Sequence, residues 1–195
     1  MKTIGLTGGM GMGKSTIAKA FRRAHIPVFD ADATVHALQA RGGRAVPAIG
    51  QAFPGAIRDG AVDRAALRAI AVPDPAAMQT LERILHPMVR AAEQAFLARA
   101  RRAGRPIVVL DIPLLLETGG ERRVDLVLVA SAPRSVQRAR VRKRRRMTNA
   151  EIDTIIARQM PDAEKRRRAD VIISTGLSRH HALRRLRRLI QEMQP

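Results

Sequence analysis

Apolar residues in this chain fall into five short runs, separated by longer stretches in which apolar positions recur at helical spacing. The runs are rich in Val, Ile and Leu, and they occupy residues 3–7, 26–30, 106–111, 124–130 and 171–173. The run at 106–111 is apolar up to its final Asp, which is typical of a strand buried on both faces of a parallel sheet. Five short strands alternating with helices predict an α/β protein with a five-stranded parallel sheet.

The stretches between the runs predict helices of different lengths. A helix should follow the first run and end near Ala24, and others are expected over 33–39, 76–102, 135–146 and 148–159 and at the C-terminus. Pro87 predicts a kink or a new helix start within the long stretch. Residues 44–75 are Ala-rich and broken by Pro and Gly, so they predict short helices and turns inserted outside the sheet.

A glycine-rich segment lies between the first predicted strand and its helix. It has the spacing of a phosphate-binding loop, which is a glycine, four residues and then Gly-Lys-Ser. Glycines permit backbone angles that turn successive N–H groups onto phosphate oxygens, and the helix N-terminus adds partial positive charge. Lys14 should contact the outer phosphates, and the Ser15 hydroxyl should ligate Mg²⁺. The predicted nucleotide-binding residues of this segment are Gly8, Gly9, Gly11, Met12, Gly13, Lys14, Ser15 and Thr16.

The net charge of +19 indicates polyanionic partners such as nucleotides, nucleic acid or an acidic surface. Only 2% of residues are aromatic, however, and single-stranded nucleic acids are usually bound on aromatic stacking platforms. A basic surface that serves solubility and partly faces a phosphorylated substrate is therefore favoured, with no nucleic-acid partner. The chain has no Cys, no apolar run of membrane-spanning length and no signal-peptide pattern, so a cytoplasmic location is expected.

Other motifs narrow the class of phosphate-loop protein. The Asn-Lys-x-Asp signature of GTPases is absent, since Asn149 is the only Asn. The strand at 106–111 lacks the terminal Asp-Glu in which ATPases keep a water-activating Glu, because Asp111 is followed by Ile112. A small chain without that Glu fits transfer of phosphate to a hydroxyl group.

Several further motifs carry a resemblance to a known family. After the phosphate loop come Asp30-Ala31-Asp32, Leu85-His86-Pro87, the segment from Asp111 to Glu117, and Gln159-Met160-Pro161. The motifs and their order resemble those of the dephospho-coenzyme A kinase family. The resemblance extends from residue 1 to about residue 176. The resemblance implies ATP-dependent phosphorylation of the ribose 3′-hydroxyl of dephospho-coenzyme A, the last step of coenzyme A synthesis, with Mg²⁺.

The same resemblance implies a three-layer phosphate-loop kinase fold. Residues 1–195 should form one domain, with a helical substrate-binding insertion at about 33–103 and a lid at about 138–149. ATP and dephospho-coenzyme A are the expected partners, with no membrane.

Asp32 is the predicted catalytic base. It follows the second predicted strand, and ligands of parallel sheets gather beyond the carboxyl ends of the strands. A carboxylate there could accept the proton of the attacking hydroxyl. Two alternatives stay open: Asp32 could merely cap a helix, and Asp30 could be the base instead.

Other candidate residues follow from their positions in the family motifs. Arg140 and Arg144 lie four residues apart, so on a helix they share one face, where the family carries the ATP-binding arginines of its lid. Arg140 is also assigned to catalysis, together with Lys14. Asp111 should hold Mg²⁺, directly or through water, or else cap the turn before Pro113.

His86 and Leu114 are the remaining predicted substrate contacts. The more ordinary expectation for His86 is a buried structural histidine at a helix start. The chain also departs from the family pattern, with Met12 where Ser is common and Ser174-Thr175-Gly176 near the last strand. The second departure weakens any expectation of side-chain adenine recognition there.

Two other functions remain open at the level of sequence. One is a different nucleoside or nucleotide kinase on the same scaffold, which the acceptor that consumes ATP would identify. The other is a basic nucleic-acid-binding ATPase, which would bind DNA or RNA tightly with a steep salt dependence.

Overall fold

The central feature is a five-stranded sheet in the order β2-β5-β1-β6-β7. Its strands are β1 (Lys2–Thr7), β2 (Val28–Asp30), β5 (Ile107–Asp111), β6 (Leu126–Ser131) and β7 (Val171–Ser174). β1 pairs in parallel with β5 and β6, and β6 pairs in parallel with β7. This computed structural model describes residues 1–145, 153, 156 and 159–193, with the side chains of residues 144 and 145 outside that description.

Both faces of the central strands are covered, which explains why β5 and β6 are apolar along almost their whole length. Alternate residues of a strand point to opposite faces. In β6, Leu128 and Ala130 join a cluster with α1 (Lys14–Arg23) and the C-terminal helix. Val127 and Val129 join a second cluster with Leu115. The predicted α/β fold with a five-stranded parallel sheet is confirmed.

The chain forms two compact units. One comprises Met1–Phe29 and Arg99–Pro195, and the other comprises Asp30–Ala98. The first unit contains the phosphate loop, the strands β1, β5, β6 and β7, and the first two residues of β2. Its helices among the described residues, besides α1, are α6 (Arg134–Arg145), α7 (Asp162–Arg167) and α8 (Arg179–Met193).

The second unit is mainly helical and has its own apolar core, to which Ile49, Phe53, Leu67 and Leu85 contribute. Its helices are α2 (Ala31–Gln39), α3 (Val46–Ala52), α4 (Arg64–Ala71) and α5 (Pro75–Arg102), of which α5 continues into the first unit. The predicted insertion at 33–103 overlaps this unit. No helix of the described residues is long and apolar enough to span a membrane.

One expectation for the second unit is wrong. Residues 44–75 were expected to contain no strand, yet β3 (Ile57–Arg58) and β4 (Ala61–Val62) form an antiparallel hairpin. Asp59 and Gly60 both have positive φ, 50° and 73°, as a tight two-residue hairpin turn requires. At Pro87 no new helix starts, because α5 continues through it, and the alternative of a kink stays a prediction.

Candidate active site

The phosphate loop occupies the connection between β1 and α1. Gly8 has a φ of 150°, and a Cβ there would lie 2.6 Å from the Ala130 carbonyl oxygen of the neighbouring strand. Gly13 has a φ of 88° and precedes the first residue of α1. Both positions need glycine because of the backbone angle and because a side chain would collide with its surroundings.

The start of α1 is suited to an anion. No side chain among the described residues caps this helix, and its first turn contains no acidic residue. The unpaired N–H groups of a first helical turn and the helix dipole both favour negative charge. Ser15 is exposed in this turn, and Thr16 is half-buried. The arrangement matches the phosphate-binding role predicted for the loop.

Lys14 is anchored to the end of β5. Its Nζ lies 2.5 Å from Asp111 Oδ1, and the two side chains are 17% and 5% exposed. The turn after β5 is fixed to β1, because the Thr7 hydroxyl donates a hydrogen bond of 2.8 Å to the Pro113 carbonyl. Lys14 and Asp111, which are 97 positions apart in the sequence, are thus in direct contact.

Side chains from outside the loop bind three consecutive loop carbonyl groups. Gln137 Nε2 donates to the Met10 carbonyl at 2.8 Å, and Arg140 Nη1 donates to the Gly11 carbonyl at 3.3 Å. The Thr175 hydroxyl donates to the Met12 carbonyl at 2.6 Å. Gln137 and Arg140 lie on α6, and Thr175 follows β7. The outer side of the loop is therefore held by two separate elements of the first unit.

Met12 and Gln159 add further contacts to this loop. The Met12 side chain is 3% exposed, and its Sδ accepts a hydrogen bond of 3.2 Å from the Ala132 N–H. Its own N–H donates to the Gly9 carbonyl at 3.1 Å. Gln159 Oε1 accepts a hydrogen bond of 3.0 Å from the Met10 N–H. The Met12 side chain, at the position where Ser was expected, is thus buried against the start of the segment that follows β6.

The predicted lid lies only partly within the described residues. Arg140 is half-buried, and besides Gly11 it contacts Thr175, donating to its hydroxyl at 2.9 Å and to its carbonyl at 2.6 Å. The backbone of Arg144 belongs to α6, but its side chain is outside the description, as are lid residues 146–149. The helix predicted at 148–159 also falls mostly outside it.

The second unit contains Asp30, Asp32 and His86. The carboxylate of Asp30, not that of Asp32, caps α2, since Asp30 Oδ1 accepts a hydrogen bond of 2.9 Å from the Ala33 N–H. Asp32 lies in the first turn of the helix. His86 was expected to be a buried residue at a helix start, yet it is exposed within α5. Leu114, in the first unit, is 47% exposed.

The roles of the three side chains that hold the loop carbonyls could not be predicted from the sequence. Thr175 stands out in the sequence only as part of a segment that departs from the family pattern, and no pattern singles out Gln137. The ATP-binding role of Arg140 stays a prediction beside its observed contact with the loop. Gln159 belongs to a motif that was identified, but its contact with Met10 had no local pattern that could reveal it.

Comparison with known proteins places this site in a class. The five-stranded sheet with its helices has the fold of phosphate-loop kinases. A shikimate kinase from Bacteroides thetaiotaomicron shares this fold with a TM-score of 0.53 at 18% identity, covering 97% of this chain and 98% of that one. A family model described as dephospho-CoA kinase matches residues 2–179. The chain belongs to the dephospho-CoA kinase family.

Individual relatives agree with that membership. A dephospho-CoA kinase from Gluconobacter oxydans is 52% identical, with 99% of this chain and 98% of the relative covered. One from Paramagnetospirillum magneticum is 61% identical over 85% of this chain and 78% of the relative. The crystal structure of TT1252 from Thermus thermophilus superimposes with a TM-score of 0.87 at 34% identity, covering 100% of this chain and 98% of that one.

Proposed function

We propose that this chain transfers the γ-phosphate of ATP to the ribose 3′-hydroxyl of dephospho-coenzyme A and so forms coenzyme A. The observation that carries the proposal is the family match over residues 2–179, which includes the whole phosphate loop. Relatives at 52% and 61% identity bear the name dephospho-CoA kinase. The Lys14–Asp111 contact and the open start of α1 are compatible with this chemistry.

In the proposed reaction the loop and Lys14 bind the phosphates of ATP. Phosphoryl transfer leaves little covalent work to the protein, so positioned positive charge and N–H donors supply most of the rate. The Asp111 carboxylate contacts the Lys14 ammonium group and so restricts a side chain that otherwise has much rotational freedom. The N–H groups of the first turn of α1 complete the anion site.

Ser15 and Asp111 are the residues we assign to Mg²⁺. Both offer oxygen donors, the ligand type that this ion prefers, and Mg²⁺ usually retains several waters. Asp111 is almost fully buried at the end of β5, so its position is well defined. When bound, the ion neutralises charge on the transferring phosphates. Asp111 would hold it directly or through water while also contacting Lys14.

Asp32 is proposed as the general base that accepts the proton of the 3′-hydroxyl. The N-cap of α2 is supplied by Asp30, so the capping explanation for Asp32 is not needed. That hydrogen bond also makes Asp30 the weaker candidate for the base.

We keep His86 and Leu114 as proposed substrate contacts; their exposed side chains are compatible with such a role. Residues 138–149, with Arg140 and Arg144, are proposed to close over ATP.

The test is an assay of product identity. The purified protein is incubated with ATP, Mg²⁺ and dephospho-coenzyme A, and coenzyme A is detected by mass. A dephospho-coenzyme A analogue that lacks the 3′-hydroxyl serves as the matched control and should give no phosphorylated product. Shikimate and adenosine are assayed in parallel. Phosphorylation of one of these, with dephospho-coenzyme A left unchanged, would overturn the proposal.

A further inference from the structure

The outer side of the phosphate loop is fixed by donors that do not belong to the loop motif. The carbonyl groups of Met10, Gly11 and Met12 each accept a hydrogen bond from a side chain of α6 or of the segment after β7. A glycine-rich turn has a flexible backbone, which could otherwise adopt several orientations. The direction of these peptide groups is therefore set from outside.

A fixed carbonyl also fixes the N–H group on the opposite side of the same peptide plane. The peptide is planar and trans here, since no described bond is cis, so its C=O and N–H point in opposite directions. The Met12 carbonyl shares a peptide group with the Gly13 N–H. Holding that carbonyl outward at Thr175 turns the Gly13 N–H inward, toward the side of the loop that receives phosphate.

Thr175 is held firmly by its surroundings. Its side chain is buried, with only 6% of the residue exposed. The single hydroxyl proton goes to Met12 at 2.6 Å, because the hydroxyl oxygen already accepts from Arg140 at 2.9 Å. The backbone of Thr175 is tied to β6 by a bond of 2.8 Å from its N–H to the Ser131 carbonyl. A Cβ on Gly13 would lie 2.8 Å from the Thr175 hydroxyl oxygen, so the two residues are closely packed.

We propose that Thr175 is a positioning residue for the nucleotide phosphates. Its hydroxyl orients the Met12–Gly13 peptide group and also gives Arg140 a partner, so the loop is arranged before ATP binds. Thr175 acts through the loop and does not itself contact the substrate. The proposal deepens the function proposed above and rests on it for the identity of the nucleotide.

The test compares Thr175→Val with Thr175→Ser. Valine has nearly the same shape but no hydroxyl, whereas serine keeps the hydroxyl and loses only a methyl group. The Val variant leaves the buried Met12 carbonyl without its donor, and we expect its KM for ATP to rise about tenfold. Its KM for dephospho-coenzyme A should change less than about twofold on the same reasoning. The Ser variant should have a KM for ATP close to that of the wild-type protein.

Calorimetric binding of sodium tripolyphosphate separates loop positioning from contact with the base. Tripolyphosphate has no nucleoside, so a positioning role predicts that its Kd in the Val variant rises by the same factor as the KM for ATP. If ATP binding weakens while tripolyphosphate binding does not, Thr175 recognises the nucleoside and the proposal is wrong. An unchanged KM for ATP in a folded Val variant would also overturn it. Thr175→Ala is the substitute should the Val variant fail to fold.

The binding measurement is independent of the acceptor. If the wild-type protein bound tripolyphosphate but did not phosphorylate dephospho-coenzyme A, the proposed function would fail while the role of Thr175 could still be read from the two Kd values. If the wild-type protein made coenzyme A and the Val variant bound tripolyphosphate normally, the role of Thr175 would fail and the function would stand.

Discussion

At the scale of single residues, the contact between Lys14 and Asp111 joins the loop to the sheet. The two side chains are largely buried and 2.5 Å apart, so this ion pair is screened less by water than a surface pair. Lysine has a long flexible stem, and the carboxylate limits the positions that its ammonium group can take. The pair therefore links two proposed tasks, phosphate binding by Lys14 and ion binding by Asp111.

Lys14→Ala should lower kcat/KM by about 10²- to 10³-fold, because it removes a positioned cation from the phosphate site. It should also lower the Tm, since Asp111 loses the cation at 2.5 Å and stays buried. The double variant Lys14→Met, Asp111→Asn should recover the Tm but not the activity. Steady-state kinetics and thermal unfolding measure the two effects. A Lys14→Ala protein that kept most of its activity would refute the assignment.

Asp32→Asn should lower kcat by a factor of about 10² to 10⁴, the usual contribution of a positioned acid or base. The Kd for ATP should change little. The Tm should also stay the same, because Asp30 supplies the cap of α2. Asp30→Ala is the control and should lower the Tm by removing that cap. If Asp32→Asn left kcat unchanged, the base would have to be another group.

At the scale of elements, the strands of the main sheet could be predicted because each contains a short run with Val, Ile or Leu, and β5 and β6 are buried along nearly their whole length. The hairpin of β3 and β4 was missed, although Asp59-Gly60 is a typical signal for a two-residue turn. Each of its strands has only two residues, too few to show alternation. α2 begins at Ala31 instead of residue 33, since its cap is Asp30.

The phosphate loop was predictable because its residues are consecutive and each has a local backbone role. Its supports were not, since Gln137 lies 127 positions from Met10, and Thr175 lies 163 positions from Met12. Such contacts arise only when parallel strands bring their carboxyl ends to one edge of the sheet. Lys14 and Asp111 were each predicted, but their direct contact was not, for the same reason.

Arg140 supports the loop from α6, and its removal should lower the catalytic efficiency with ATP. Arg140→Ala removes three hydrogen bonds, to the Gly11 carbonyl and to two atoms of Thr175. We expect kcat/KM for ATP to fall by about 10- to 100-fold, in keeping with hydrogen bonds from a charged donor. Arg142→Ala is the matched control, as that side chain is exposed on the same helix. Equal kinetics for both variants would contradict a special role for Arg140.

At the scale of the whole molecule, acidic residues are scarce, so few carboxylates are available to pair with the many basic side chains. The chain has 17 Asp and Glu against 36 Lys and Arg. In the first unit several acids pair with bases, including Glu117 with the buried Lys165 at 2.6 Å and Asp153 with Arg138 at 2.7 Å. Only groups whose pKa differs between the folded and the unfolded chain make the stability depend on pH.

Glu93 on α5 is the clearest of these groups. Burial raises the pKa of its carboxyl above the ordinary value of 4.5, and the nearby Arg90 guanidinium only partly opposes that shift. A raised pKa means that the folded protein binds the proton more tightly than the unfolded chain. Glu93 therefore destabilises the protein above its folded-state pKa, and the penalty disappears as the pH falls below 4.5.

Replacing Glu93 by Gln keeps its shape and removes its charge, so Glu93→Gln should raise the Tm at pH 7 and lose this advantage as the pH is lowered to 4.5 and below. The measurement is thermal unfolding of both proteins across that pH range. Glu82→Gln is the matched control, because Glu82 is exposed on the same helix and its substitution should change little at any pH. A Tm at pH 7 equal to or below that of the wild type would show that attraction to Arg90 outweighs the cost of burying the carboxylate.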